Sequence, residues 1–158
     1  VVGALDDGAA LVERSLALNP NLAWVLHDSA FIQAFLGEPA AALEQAGRAM
    51  RLSPHDPYLF GMQTATALAL LLLGRYDESS SWAATAVRQQ PHFVVASCIA
   101  AAGAALAGRR HDAAVALERV RQLDPALRLT NLKDLLPFHR PEDFARWRDG
   151  LSRAGLPE

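Results

Sequence analysis

GRYDESSSWAATAVRQQP, the run from Gly74 to Pro91, supports two readings that lead to different proteins. On one, three consecutive serines beside Asp77 and Glu78 form a nucleophile cluster. On the other, the run is a packing module whose small residues let helices touch. Internal periodicity decides between them, because a repeat missed at this stage mis-assigns the whole fold. Pro20, Pro54, Pro91 and Pro125 lie 34, 37 and 34 residues apart, and Gly3, Gly37, Gly74 and Gly108 each precede one of them by 17.

Between these markers related text recurs: LGEPAAALEQAGRAMRLSP from Leu36, LGRYDESSSWAATAVRQQP from Leu73 and AGRRHDAAVALERVRQLDP from Ala107. Small residues hold fixed offsets, at Ala42, Ala46 and Ala49, then Ser79, Ala83 and Ala86, then Ala113. A glycine after one helix supplies the left-handed conformation that stops it, and a proline after the next helix cannot continue it. The unit is a helical hairpin of about 34 residues. Ser79 then occupies a small-residue packing position, with Ser80 and Ser81 on other faces of the same helix. No histidine lies within a helical turn of them to act as a base.

This unit resembles the tetratricopeptide repeat, over roughly Val1 to Pro125. The resemblance implies an all-α, right-handed α-α superhelix of about nine helices, with residues 1–125 as hairpins and 126–158 as capping helices. The first copy is incomplete: Gly3 to Pro20 supplies only a second helix, so its apolar face of Leu5, Leu11, Val12 and Leu16 is expected to be partly uncovered. In the longer second interval, SPHDPYLFG suggests Asp56 as an N-cap and Pro57 at the first helical position, extending that helix at its start. Ser29, Gln33, Gln63 and Thr66 fall at inward-leaning positions where the repeat favours apolar residues.

After Pro125 the period fails. Leu129, Leu132 and Leu136 at helical spacing suggest a shortened helix covering the last hairpin. A final helix is expected from Pro141, with Glu142 and Asp143 suiting its dipole, to Gly155. Its stripe of Phe144, Trp147 and Leu151 either caps the stack or meets a partner, and a solenoid's need to hide its last apolar face favours the cap.

The tetratricopeptide resemblance also implies a concave groove lined by the first helices of successive hairpins. The spacing places Trp24, His27, Phe31 and Ala34 there, then Thr64, Leu68 and Leu71, then Cys98, Ala102 and Ala105. The basic residues with which chaperone-binding members grip a peptide carboxylate are missing, so the expected occupant is apolar: a hydrophobic helix, an upstream domain of the same chain or a second copy. The alternative is that these residues pack on one another in a tight superhelix. The ending PF.RPEDFARW..GL..AGLPE resembles the C-terminus of bacterial multidomain proteins whose repeats follow a catalytic or DNA-binding module, class III adenylate or guanylate cyclases foremost and winged-helix regulators next. That likeness implies a non-catalytic, cytoplasmic interaction segment, regulatory or dimerising, of a signalling protein. A free-standing adaptor is the alternative.

Charge and composition narrow the partners. A net charge of -2 and a pI near 6.2 leave no basic footprint for nucleic acid. The longest apolar run, Ala65 to Gly74, is too short to span a bilayer, which takes roughly 20 residues. The opening VVGALDDG has neither a basic leader region nor an initiating methionine, which suggests a piece of a longer chain. The single cysteine, Cys98, lies in an apolar run and is expected to be buried and inert. The pairs His27-Asp28, His55-Asp56 and His111-Asp112 resemble the dipeptide of metal-dependent phosphohydrolases. Adjacent helical residues point about 100° apart, however, and ligands sharing a face stand three or four apart. No second ligand has that spacing, so neither metal nor cofactor is expected.

Overall fold

The computed structural model describes residues 2–158; Val1, where the sequence pattern places the start of the repeat region, lies outside them. The described residues form eight α-helices and one 3-10 turn, and no strand. They run α1 (Val2–Leu18), α2 (Ala23–Leu36), α3 (Pro39–Leu52), α4 (Leu59–Leu72), α5 (Tyr76–Gln89), α6 (Val94–Leu106), α7 (Arg110–Leu123), the 3-10 turn Leu132–Asp134 and α8 (Pro141–Ala154).

The hairpins are built as the markers require. Gly37, Gly74 and Gly108 have φ of +86°, +79° and +79°, a region costly for any residue with a Cβ. The next amide reaches back five residues each time: Glu38 to the Gln33 carbonyl at 2.8 Å, Arg75 to Leu70 at 2.9 Å and Arg109 to Ala104 at 2.8 Å. These bonds satisfy carbonyls that the helix end would otherwise orphan. Gly155 repeats the stop after α8, with φ +101°.

Consecutive helices pack on one another from α1 to α7, and α2, α4 and α6 also touch in a row. They form the inner layer, and α3, α5 and α7 the outer one. Inner and outer sequences differ accordingly. Every residue of α4 from Gly61 to Leu72 is buried, as is α6 from Ala96 to Ala104, as expected of helices that are apolar all round. Gln63 and Thr66 are among them, and Ser29 of α2 is buried too. Each outer helix buries one stripe: Ala42, Ala46 and Ala49, then Ser79, Ala83 and Ala86.

The serine run splits three ways. Ser79 Oγ donates to the Ala67 carbonyl of α4 at 2.8 Å, Ser80 is buried with Oγ 3.5 Å from the Ala100 carbonyl, and the exposed Ser81 donates to the Asp77 carbonyl within its own helix. Gly103 lets α6 approach α5 closely here, since a Cβ there would lie 3.1 Å from the Ser80 backbone nitrogen. Ala86→Leu should therefore overpack the α5 junction and cost about 1–3 kcal/mol, whereas Ser80→Ala should be near neutral; thermal denaturation of the two variants checks this.

Several expectations are corrected. α4 begins at Leu59 and has no side-chain cap. Asp56 instead accepts from the Tyr58 amide at 2.8 Å and from the Ser53 hydroxyl at 3.1 Å, so the extra residues of that interval form a turn rather than lengthen the helix. Residues 126–137 hold only the 3-10 turn in place of a shortened helix, which brings the count to eight α-helices. Gly3 lies inside α1 rather than ahead of it.

Candidate functional site

The concave face of the inner layer is occupied by the chain itself. α8 packs on α6, α4 and α7, and the segment before it lies against α2. Phe138 meets Phe35 edge to face at 5.8 Å and Trp147 at 5.6 Å, and the His139 amide donates to the Phe35 carbonyl at 2.8 Å. Arg140 pairs with Glu38 at 3.3 Å, and Arg146 donates to the Leu72 carbonyl. The C-terminal segment thus supplies donors and cations to the C-terminal ends of α2 and α4, where orphan carbonyls and the helix dipole favour them. Further along, Gly150 lies against the backbone of Ala102.

This arrangement settles where the expected groove residues stand. Thr64, Leu68, Leu71, Cys98 and Ala102 have no solvent-exposed surface, nor does Ala34, and Ala105 is half-buried. Thr64 donates to the Phe60 carbonyl at 2.7 Å. The Cys98 thiol is pushed up to about 12 by burial, with the charge of Asp124 adding to the effect; a thiol held protonated is a poor nucleophile. Of the C-terminal stripe, Trp147 and Leu151 are fully buried and Phe144 is half-buried. In this conformation the stripe faces the core and is closed to a partner.

Trp24, His27 and Phe31 escape this cover. Trp24 is 64% exposed, and His27 and Phe31 are half-buried and in edge contact at 5.3 Å. With Leu11, itself 65% exposed, and Val12 of α1, Trp24 and Phe31 line an open groove of about 430 Å³ between α1 and α2. The repeat explains its shape. α2 sits against α3 and α4, and α4 sits against α5 and α6; the groove between α1 and α2 is the equivalent seat with no helix in it among the described residues.

The histidine-aspartate pairs do not converge. His27 Nδ1 lies 3.1 Å from Asp28 Oδ1, His55 is exposed, and Asp112 pairs with Arg109 at 3.1 Å. Among the described residues no group of three or more His, Cys, Asp or Glu side chains could hold a metal ion. No helix of the described residues is long and apolar enough to cross a membrane.

The fold is similar to that of PilW. The crystal structure of PilW, a widely conserved type IV pilus biogenesis factor, superposes with a TM-score of 0.68 at 17% identity, over 90% of this chain and 62% of that one. At that identity the likeness establishes the helical-repeat fold, consistent with a tetratricopeptide-type domain, and the chain spans less than two thirds of PilW's length. No family model matches the sequence, and no curated protein matches it either.

Sequence reasoning missed the contacts by which residues 136–150 close the groove. The available signal was an apolar groove without a basic clamp, in a chain that also carries an unpaired apolar helix stripe. One group in that closure is costly. Asp143, buried in the first turn of α8, keeps Oδ2 without a hydrogen-bond partner. Its pKa is raised, chiefly by burial, against the opposing charges of Arg140 and Arg146. A carboxyl with a raised folded-state pKa is best accommodated protonated. Its contribution is therefore fully present below the unfolded value of about 4 and lost as pH rises through the folded one. Asp143→Asn should leave stability at pH 3 nearly unchanged and raise it at pH 7, as read from denaturation midpoints at both pH values.

Proposed function

We propose that this chain is a non-catalytic protein-interaction scaffold whose partner-binding face is the groove between α1 and α2, with Trp24, Phe31 and Leu11 as its apolar contacts. The observation that carries this reading is the exposed indole of Trp24 in a helix seat left open. Large apolar side chains clustered at a surface mark interaction sites more often than singly scattered ones do, and aromatic anchors dominate interface energetics.

The finer reading is a cytoplasmic, C-terminal regulatory or dimerising segment of a bacterial signalling protein such as an adenylate cyclase. It rests on the likeness of the ending PFHRPEDFARWRDGLSRAGLPE to such proteins. A second copy is the partner this reading favours, since its own Trp24 and Leu11 present a self-complementary apolar face. Sedimentation equilibrium tests it. The chain should show a concentration-dependent dimer that Trp24→Glu converts to monomer, with thermal stability changed by no more than about 0.5 kcal/mol because the side chain is exposed. A monomer at every concentration, indifferent to the substitution, contradicts the dimerising role.

A further inference from the structure

On the opposite side of the stack from α8, α5 and α7 stand apart over α6 and enclose an open cleft of about 640 Å³, within the usual range of roughly 300–1,000 Å³ for ligand-binding pockets. Its walls are Ala84 and Arg88 of α5 and Val115 and Arg119 of α7, over a floor of Ser97 and Ala100 of α6. Three features are not explained by packing. Val115 is 60% exposed, the side chain of a β-branched residue held at the cleft wall. Ser97 is 1% exposed, and its Oγ has no hydrogen-bond partner, an expensive state for a buried hydroxyl.

The third is charge. Arg88 bonds only the Thr85 hydroxyl, at 2.8 Å, and Arg119 only the Pro91 carbonyl, at 3.0 and 2.8 Å; neither has a carboxylate partner among the described residues. They stand at the same end of the cleft, since Pro91 follows directly on α5, whose last turn carries Arg88. At the other end Arg109 is matched by Asp77 and Asp112, each at 3.1 Å. His111 is exposed at that end. The cleft therefore has one paired end, an apolar middle and one cationic end.

We propose that this cleft docks a short acidic segment of a partner protein, its carboxylate held by Arg88 and Arg119 and its neighbouring small apolar side chains seated on Ala84, Ala100 and Val115. Guanidinium groups suit carboxylates because their planar forks match. The apolar middle selects a peptide over a simple phosphate, which would leave it wet. The proposal rests on the reading of the chain as a protein-binding scaffold and assigns it a second surface, separate from Trp24.

The test is fluorescence anisotropy with the labelled peptide DAVDAV, with KAVKAV as its charge-reversed control. DAVDAV should bind saturably and KAVKAV should not. Arg88→Glu, at an exposed position, should weaken DAVDAV about tenfold, the size of one charge-assisted hydrogen bond, and Ala84→Trp should block it by filling the cleft. Trp24→Glu should leave the peptide's affinity unchanged. Equal binding of both peptides, wild-type affinity in Arg88→Glu, no saturable binding, or displacement by inorganic phosphate as effective as by unlabelled peptide each overturns the proposal. Its failure beside a Trp24-dependent dimer leaves the scaffold reading standing.

Discussion

Trp147→Ala should destabilise the chain by about 3–5 kcal/mol, the range for truncating a fully buried aromatic side chain. Trp147 has no exposed surface and packs against Phe138 and Phe144 at 5.6 and 6.4 Å between ring centres. It joins the C-terminal segment to the core that includes Leu68, Cys98 and Ala102. The loss is a large share of the roughly 5–15 kcal/mol that holds a domain folded, and it falls first on the docking of α8. Trp147→Phe provides the control. The indole Nε1 is buried without a hydrogen-bond partner, so phenylalanine removes an unsatisfied donor while keeping most of the ring, and about 1 kcal/mol is the expected cost. Urea unfolding of both variants separates lost ring volume from lost polarity.

Gly150→Ala is the second large effect, and its sign is opposite to helix propensity. In an exposed helix interior the change from glycine to alanine stabilises by about 1 kcal/mol. At this position a Cβ would lie 2.8 Å from Ala102 Cβ and 3.0 Å from the Ala102 Cα and carbonyl oxygen. Backbone cannot swing aside as a flexible side chain does, so α8 must lift from α6. A net loss of about 1–3 kcal/mol is expected. Ala102→Gly in the same chain should recover part of it, with a coupling energy of about 0.5–3 kcal/mol in the double-mutant cycle. A Gly150→Ala variant more stable than the parent would show that α8 does not cross α6 at this point.

The two halves of the structure differed in how much of them could be read from sequence. Hairpin boundaries were visible because their causes are local: Gly37, Gly74 and Gly108 mark left-handed stops, and the alanines of α3 and α5 mark close helix crossings. The offset pattern stopped at Ala113 in α7 because Leu117 and Val120 stand where smaller residues would otherwise be. The last outer helix faces the chain terminus, where Gly155 lies against Leu117, and larger side chains fill that space.

Asp56 shows the limit of local chemistry. It is a good capping residue and does bind the Tyr58 amide, yet the turn it stabilises precedes the helix. The closure of the groove was out of reach for a different reason. Phe138 against Phe35, Arg146 on the Leu72 carbonyl and Gly150 against Ala102 join residues far apart in the chain, and no periodicity encodes such pairs. Of the candidate groove residues, the spacing puts Trp24, His27, Phe31 and Ala34 on one face of α2, of which Ala34 is buried and Trp24 exposed. The cap reading of the final helix, favoured from sequence, holds for Trp147 and Leu151, both fully buried; which inner-helix residues it would cover, and that Trp24 would stay in the open, depended on contacts that no periodicity encodes.

The most direct test of a groove closed by its own C-terminal helix uses the fluorescence of Trp147 alone. The chain has three tryptophans, and replacing Trp24 and Trp82 by phenylalanine leaves Trp147 as the single reporter. A closed groove predicts blue-shifted emission that resists iodide quenching until the chain unfolds. Red-shifted emission, quenched by iodide under native conditions, would mean that the helix stands away from the stack and that the concave face is open.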